Sequence, residues 1–235
     1  MNLIMFDIDG TLREINTIED DLFAQAIKES LNVTGIDTNW ERYRHSTDPA
    51  IAAEIIEEKT GRSATIEDLD GIRNSFINKV RAKASKDPCY SREISGAKAM
   101  LVELASFANV AIAIVTGGWK EMALLKLSMA SLILPGVVIV TASDAFSRKD
   151  IMKIAEKRIT GKLEDAPLES VVYVGDAVWD IRTALETGYH FIGVGSGEEA
   201  AKLRDEGATW IIPDYSDKQR FFTILENVWS RSSQG

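Results

Sequence analysis

Cysteine is nearly missing from this chain: Cys89 is the only one among 235 residues. An intrachain disulfide is therefore excluded, and a reducing compartment is expected. Long apolar runs are missing too. None approaches the ~20 residues that span a bilayer, so no membrane partner is expected. Positive charge is scarce: 27 Lys and Arg stand against 36 Asp and Glu, for a formal net charge of −9. No basic stripe stands out to neutralise a polymer of phosphates, which argues against a nucleic-acid partner. A small phosphate ligand stays compatible, because it needs only a few local donors. No basic segment precedes the first apolar run, so a signal peptide is not expected and a cytoplasmic location is. Internal repeats and low-complexity tracts are absent as well.

What is present is an ordinary globular composition, 45% apolar and 27% charged, with length enough for one large domain and a smaller one. Short apolar runs recur as LIMF (3–6), VAIAIVTGG (110–118), GVVIVTA (136–142), SVVYVGD (170–176), HFIGVGSG (190–197) and TWIIPD (209–214). Runs apolar on both faces suit a parallel sheet covered by helices. The segments between them, including Trp119–Met129, Lys149–Thr160, Trp179–Thr187 and Glu198–Glu206, read as helices. The alternation predicts a doubly wound, Rossmann-like α/β fold. Residues 20–86 differ. Apolar residues there keep helical spacing, as in Leu22, Phe23, Ala26, Ile27 and Leu31, with no strand signal between them. This predicts an all-helical domain inserted after the first strand, with core residues 1–15 and 90–235 and a helical unit at 16–89.

Chemistry collects at the expected strand ends. Asp7 and Asp9 follow the first run two residues apart, where mutual repulsion calls for a cation or a shared proton. Thr116-Gly117-Gly118 ends the second run with a hydroxyl and free backbone N–H groups able to cradle phosphate oxygens, or with a helix N-cap in Thr116. Arg148 and Lys149 open a helix as a basic pair or as a solvated face. Asp176 and Asp180 follow the run at 170–175, as catalytic acids or as parts of an ordinary turn.

Together DIDGT (7–11), TGG (116–118), RK (148–149) and GDAVWD (175–180) resemble the motifs of the haloacid dehalogenase-like hydrolase superfamily, in its order. The wide gap before Thr116 places the insert as in members with a helical type-1 cap, such as phosphoglycolate-phosphatase-like and β-phosphoglucomutase-like proteins. The resemblance implies a Mg²⁺-dependent phosphatase acting on a small phosphorylated metabolite. It casts Asp7 as the nucleophile that becomes an aspartyl-phosphate, and Asp9 as the acid and base. Mg²⁺ would be held by the Asp7 carboxylate, the Asp9 backbone carbonyl and Asp176, with Asp180 behind them orienting the site. Thr116, donors near Gly117 and a basic side chain would hold the phosphoryl oxygens. The third motif departs from the family's usual Lys-Pro. Lys149 is the residue favoured for that role, and Arg148 is the alternative.

The insert is expected to select the substrate. His45 and Thr47 are candidate leaving-group contacts, although Thr47 or Asp48 also suits the N-cap of the helix that Pro49 begins. Arg13 is either an anion contact or a hinge residue. A dehalogenase would have no use for Asp9, whereas a phosphomutase would keep both aspartates and stays open. A non-catalytic domain on this fold is the remaining reading. The particular substrate and the oligomeric state are not legible.

Overall fold

The computed structural model describes residues 1–162 and 167–232. Its centre is a six-stranded, wholly parallel sheet. The strands are β1 (Asn2–Phe6), β2 (Val110–Val115), β3 (Val138–Val140), β4 (Ser170–Gly175), β5 (His190–Val194) and β6 (Trp210–Ile212). They lie in the order β3-β2-β1-β4-β5-β6. Phe6 pairs with Ile114 on one side and with Val174 on the other. This register brings Asp7, Thr116 and Asp176 to one edge of the sheet. Strand order reverses around β1, which is where ligands bind in open parallel sheets.

Every residue of β1 is buried. Ile4 and Phe6 face the layer made by α4 (Ala97–Leu104), α5 (Lys120–Met129) and α9 (Lys218–Ser232). Leu3 and Met5 face α6 (Arg148–Thr160), α7 (Val178–Thr187) and α8 (Gly197–Asp205). Burial on both faces explains why these strands read as continuous apolar runs rather than as alternating ones.

Between β1 and α4 the chain forms α1 (Ile18–Leu31), α2 (Asp48–Thr60) and α3 (Ile66–Ala84), with a short 3-10 turn at Trp40–Arg42. Ile27, Ile55, Ile72 and Val80 are fully buried among these helices. The Phe23 ring lies 5.4 Å from Trp40 and 5.2 Å from Phe76. Trp119 and Met122 of the sheet domain join this cluster, and the Trp119 ring meets Phe23 edge-on at 6.0 Å. Trp119 thus packs against the helical insert.

Candidate active site

The turn after β1 is built to crowd carboxylates. Asp7 donates its backbone N–H to Val174 at 3.0 Å, which ties the end of β1 to β4. Ile8 then accepts from the N–H groups of Leu12 and Arg13, both at 2.9 Å. Gly10 has φ +72°, and a Cβ there would lie 2.0 Å from Asp176 Oδ2. Only glycine permits both the backbone and the approach. Thr11 Oγ1 donates to Asp176 Oδ1 at 3.2 Å. As a result, carboxylate oxygens of Asp7, Asp176 and Asp180 lie within 4.8 Å of one another. Burial, with the charge of Asp180 added, pushes Asp7 up to about 8. The same two causes hold Asp176 well above the usual carboxylate range. Such a set is short of positive charge. A hard divalent cation bound by oxygen ligands is what it fits.

Among the described residues one largely buried cation enters this cluster, Arg148. Its Nη1 lies 2.8 Å from Asp180 Oδ1 and 3.5 Å from Asp7 Oδ1, and its Nε donates to the Ser46 carbonyl at 3.0 Å. Asp180 is fully buried and is held by Tyr173 Oη at 3.1 Å and by the Ala177 N–H at 3.1 Å. Its Oδ1 in turn accepts from Arg148 Nη1. Lys149, the residue favoured by sequence, points elsewhere: its side chain is 47% exposed and Nζ lies 2.6 Å from Glu186. Ser147 explains the exchange. Its hydroxyl accepts from the Asp150 N–H at 3.1 Å as the N-cap, so Arg148 becomes the first helical residue. The next side chain is rotated by about 100°.

Asp9 sits in a second network. Its two oxygens lie 2.6 Å from Lys126 Nζ and 2.9 Å from Arg13 Nη1. Glu19 holds the same two cations at 2.7 and 3.0 Å. Burial alone would raise the Asp9 carboxyl, but Lys126 and Arg13 outweigh it and leave Asp9 below the ordinary value. Arg13 is fully buried beneath the site. It is not solvated and does not line the cavity; its Nη1 lies against Asp9 and Glu19.

The insert closes over this floor through residues 46–48. The Asp48 N–H donates to the Gly117 carbonyl at 2.8 Å, and Thr47 Oγ1 donates to the Phe146 carbonyl at 2.7 Å. Thr47 occupies the N-cap position of α2 but makes no side-chain capping bond, and Asp48 is the first helical residue. Thr47 therefore anchors insert to core, and neither it nor exposed His45 borders the partly open space between them. That space is a cavity of about 220 Å³. Asp7, Asp9, Thr116, Gly117, Arg148 and Asp176 line its floor. Thr116 is buried, and its Oγ1 accepts from the Gly118 N–H at 3.2 Å.

A family model described as haloacid dehalogenase-like hydrolase matches residues 4–194. The chain belongs to this family. No curated protein matches the sequence. Among solved structures, a hydrolase from Pseudomonas syringae superposes with a TM-score of 0.69 at 20% identity, covering 97% of this chain and 99% of that one. A putative β-phosphoglucomutase from Bacteroides vulgatus gives 0.64 at 17%, covering 100% and 91%. A predicted phosphoglycolate phosphatase from Haemophilus somnus gives 0.60 at 17%, covering 94% and 98%. These likenesses establish the haloacid dehalogenase-like fold: a parallel α/β core that carries a helical insertion.

Within that fold, four charged cavity residues lie outside the family motifs: Glu19, Asp20, Asp48 and Lys126. Lys126 had a signal. It falls on the buried face of α5 beside Met122, Ala123 and Leu127, and a lysine at apolar spacing needs a buried partner. Glu19 and Asp48 look like first-turn helix acids, and nothing local distinguishes them from capping residues.

Proposed function

We propose that this haloacid dehalogenase-like hydrolase is a Mg²⁺-dependent phosphatase that cleaves a small phosphate monoester through an aspartyl-phosphate. One observation carries the reading: Asp7 lies buried between the Asp176 carboxylate and the Arg148 guanidinium, with Asp9 opening on the same cavity. A dianionic phosphoryl group needs positive charge here and a nucleophile beneath it. In this reading an Asp7 oxygen attacks phosphorus and the P–O bond to the leaving group breaks. Asp9, held below the ordinary carboxylate value by Lys126 and Arg13, has to take up a proton as the phosphate ester enters; it gives that proton to the departing oxygen, then takes one from the water that hydrolyses the acyl phosphate. Thr116 and Arg148 hold the phosphoryl oxygens, and the basic role goes to Arg148 in place of Lys149. Asp7, Asp176 and the Asp9 carbonyl would hold Mg²⁺, which would supply charge neutralisation for the phosphoryl oxygens. Residues 16–89 act as a cap on the core formed by 1–15 and 90–235. No helix among the described residues is long and apolar enough to cross a membrane, and the lone Cys89 supports a cytoplasmic site of action.

The test is hydrolysis of p-nitrophenyl phosphate with Mg²⁺ by the wild type and by Asp7→Asn. Turnover is expected in the first and its loss in the second, with circular dichroism unchanged. Comparable rates in both would remove Asp7 from the nucleophile role.

A further inference from the structure

The cap side of the cavity differs chemically from its floor. Six carboxylates line the whole space, those of Asp7, Asp9, Glu19, Asp20, Asp48 and Asp176, against two cations, Lys126 and Arg148. Both cations are committed. Lys126 bridges Asp9 and Glu19 at 2.6 and 2.7 Å, and Arg148 is aimed at Asp180 and Asp7. The wall supplied by the insert adds no Lys, Arg or His among the described residues. Its lining includes exposed Asp20 and half-buried Asp48, together with Phe23, Trp40 and Phe76. Asp20 takes a hydrogen bond from the Trp40 side chain, and Asp48 takes one from the Trp119 N–H. Neither acid forms an ion pair among the described residues, and the cations acting on Asp48 are the two already committed.

We infer that the insert receives a leaving group that carries an ammonium and no anionic substituent, so that the substrate is a phosphate monoester of a small amino alcohol. This rests on the phosphatase reading above and narrows it. A pocket lined by carboxylates without an ion-pair partner and by aromatic rings suits a bound ammonium, which gains from acids and from ring faces. Burial raises Asp48 to about 7, the state of a carboxyl that lacks its counter-charge. A carboxylate or a second phosphate in the same place would meet Asp20 and Asp48 with no cation to spare. A phosphomutase must at some stage hold a molecule with two phosphates, so the same wall disfavours that activity. The cavity, about 220 Å³, falls below the range of drug-sized pockets, in keeping with a leaving group of a few heavy atoms.

Three esters of matched length separate the alternatives: 2-aminoethyl, 2-hydroxyethyl and carboxymethyl phosphate. With Mg²⁺ and the whole protein, kcat/KM is expected to be highest for the aminoethyl ester, about tenfold or more above the hydroxyethyl ester, with the carboxymethyl ester lowest. In Asp48→Asn the aminoethyl-to-hydroxyethyl ratio should fall towards one, because the amide keeps the shape and loses the charge. Trp40→Leu gives a second arm that lowers the same ratio if Asp48→Asn fails to fold, as circular dichroism would reveal. A wild-type preference for the hydroxyethyl or carboxymethyl ester overturns the inference, and so does a ratio that both folded variants leave unchanged. Either result alongside Asp7-dependent hydrolysis of p-nitrophenyl phosphate leaves the phosphatase reading standing. Absence of that hydrolysis brings down both.

Discussion

Arg148 lies buried between Asp180 and Asp7, and one residue on Lys149 reaches Glu186 at the surface. This contrast makes the basic pair separable by mutation. Removing a buried cation that faces developing phosphoryl charge costs on the order of 10²-fold in kcat or more, so Arg148→Ala should lose at least that for p-nitrophenyl phosphate. Lys149→Ala should stay within about twofold, because exposed pairs such as Lys149–Glu186 contribute little. Arg148→Lys should recover only part of the loss, since an ammonium cannot bond Asp180, Asp7 and the Ser46 carbonyl with one planar fork. Steady-state rates on the three variants decide the matter; a larger loss at Lys149 than at Arg148 would return the role to the lysine.

At the scale of elements, the insert and the core meet along the 46–48 segment and the loop after β2. A Cβ on Gly117 would lie 2.6 Å from the Ser46 carbonyl oxygen and 3.0 Å from Arg148 Nη2. The first obstacle is backbone, so the contact cannot be relieved by turning a side chain. Gly117→Ala should hold the insert away from the core and shift Arg148 with it. Displacements near 1 Å at a reacting centre cost about 10²-fold. A fall of at least about tenfold in kcat/KM is therefore expected. The expected thermal stability stays near wild type, because the hydrophobic clusters of sheet and insert are untouched. Normal kinetics in Gly117→Ala would mean that this closed arrangement is not the one that turns over substrate.

For the whole molecule, crowded acids link stability to pH and to metal. Asp7 stands at about 8 and Asp176 is also raised, both chiefly by burial. A carboxyl with a higher pKa folded than unfolded binds its proton more tightly in the folded state. The metal-free protein should therefore lose stability as pH rises through the window from about 4 to about 8. A divalent cation that binds only the folded form opposes the loss. Thermal unfolding across pH 5 to 8 should show Tm falling with pH without metal, and Mg²⁺ should raise Tm more at pH 8 than at pH 5. Asp176→Ala should flatten both trends. A Tm insensitive to Mg²⁺ at every pH would argue against a metal site at Asp7 and Asp176.

Much of this arrangement was local information. An apolar run buried on both faces and stopped by a polar residue or Gly marks a strand end from a few residues, which is why Asp7, Thr116 and Asp176 are legible as strand-end residues in the sequence. The helical spacing within 20–86 is equally local, and it covers α1, α2 and α3. What tertiary structure decided was pairing and direction. The phase of α6, set by Ser147 as N-cap and by packing on the sheet, chose Arg148 over Lys149. Lys126 met Asp9 across 117 positions, and Arg148 met Ser46 across 102. Asp48 changed from a helix-start acid into a cavity wall because α2 begins against the loop after β2. A side chain's chemistry depends on the charges and rings within a few ångströms of it, and at such sequence separations only the fold brings them there.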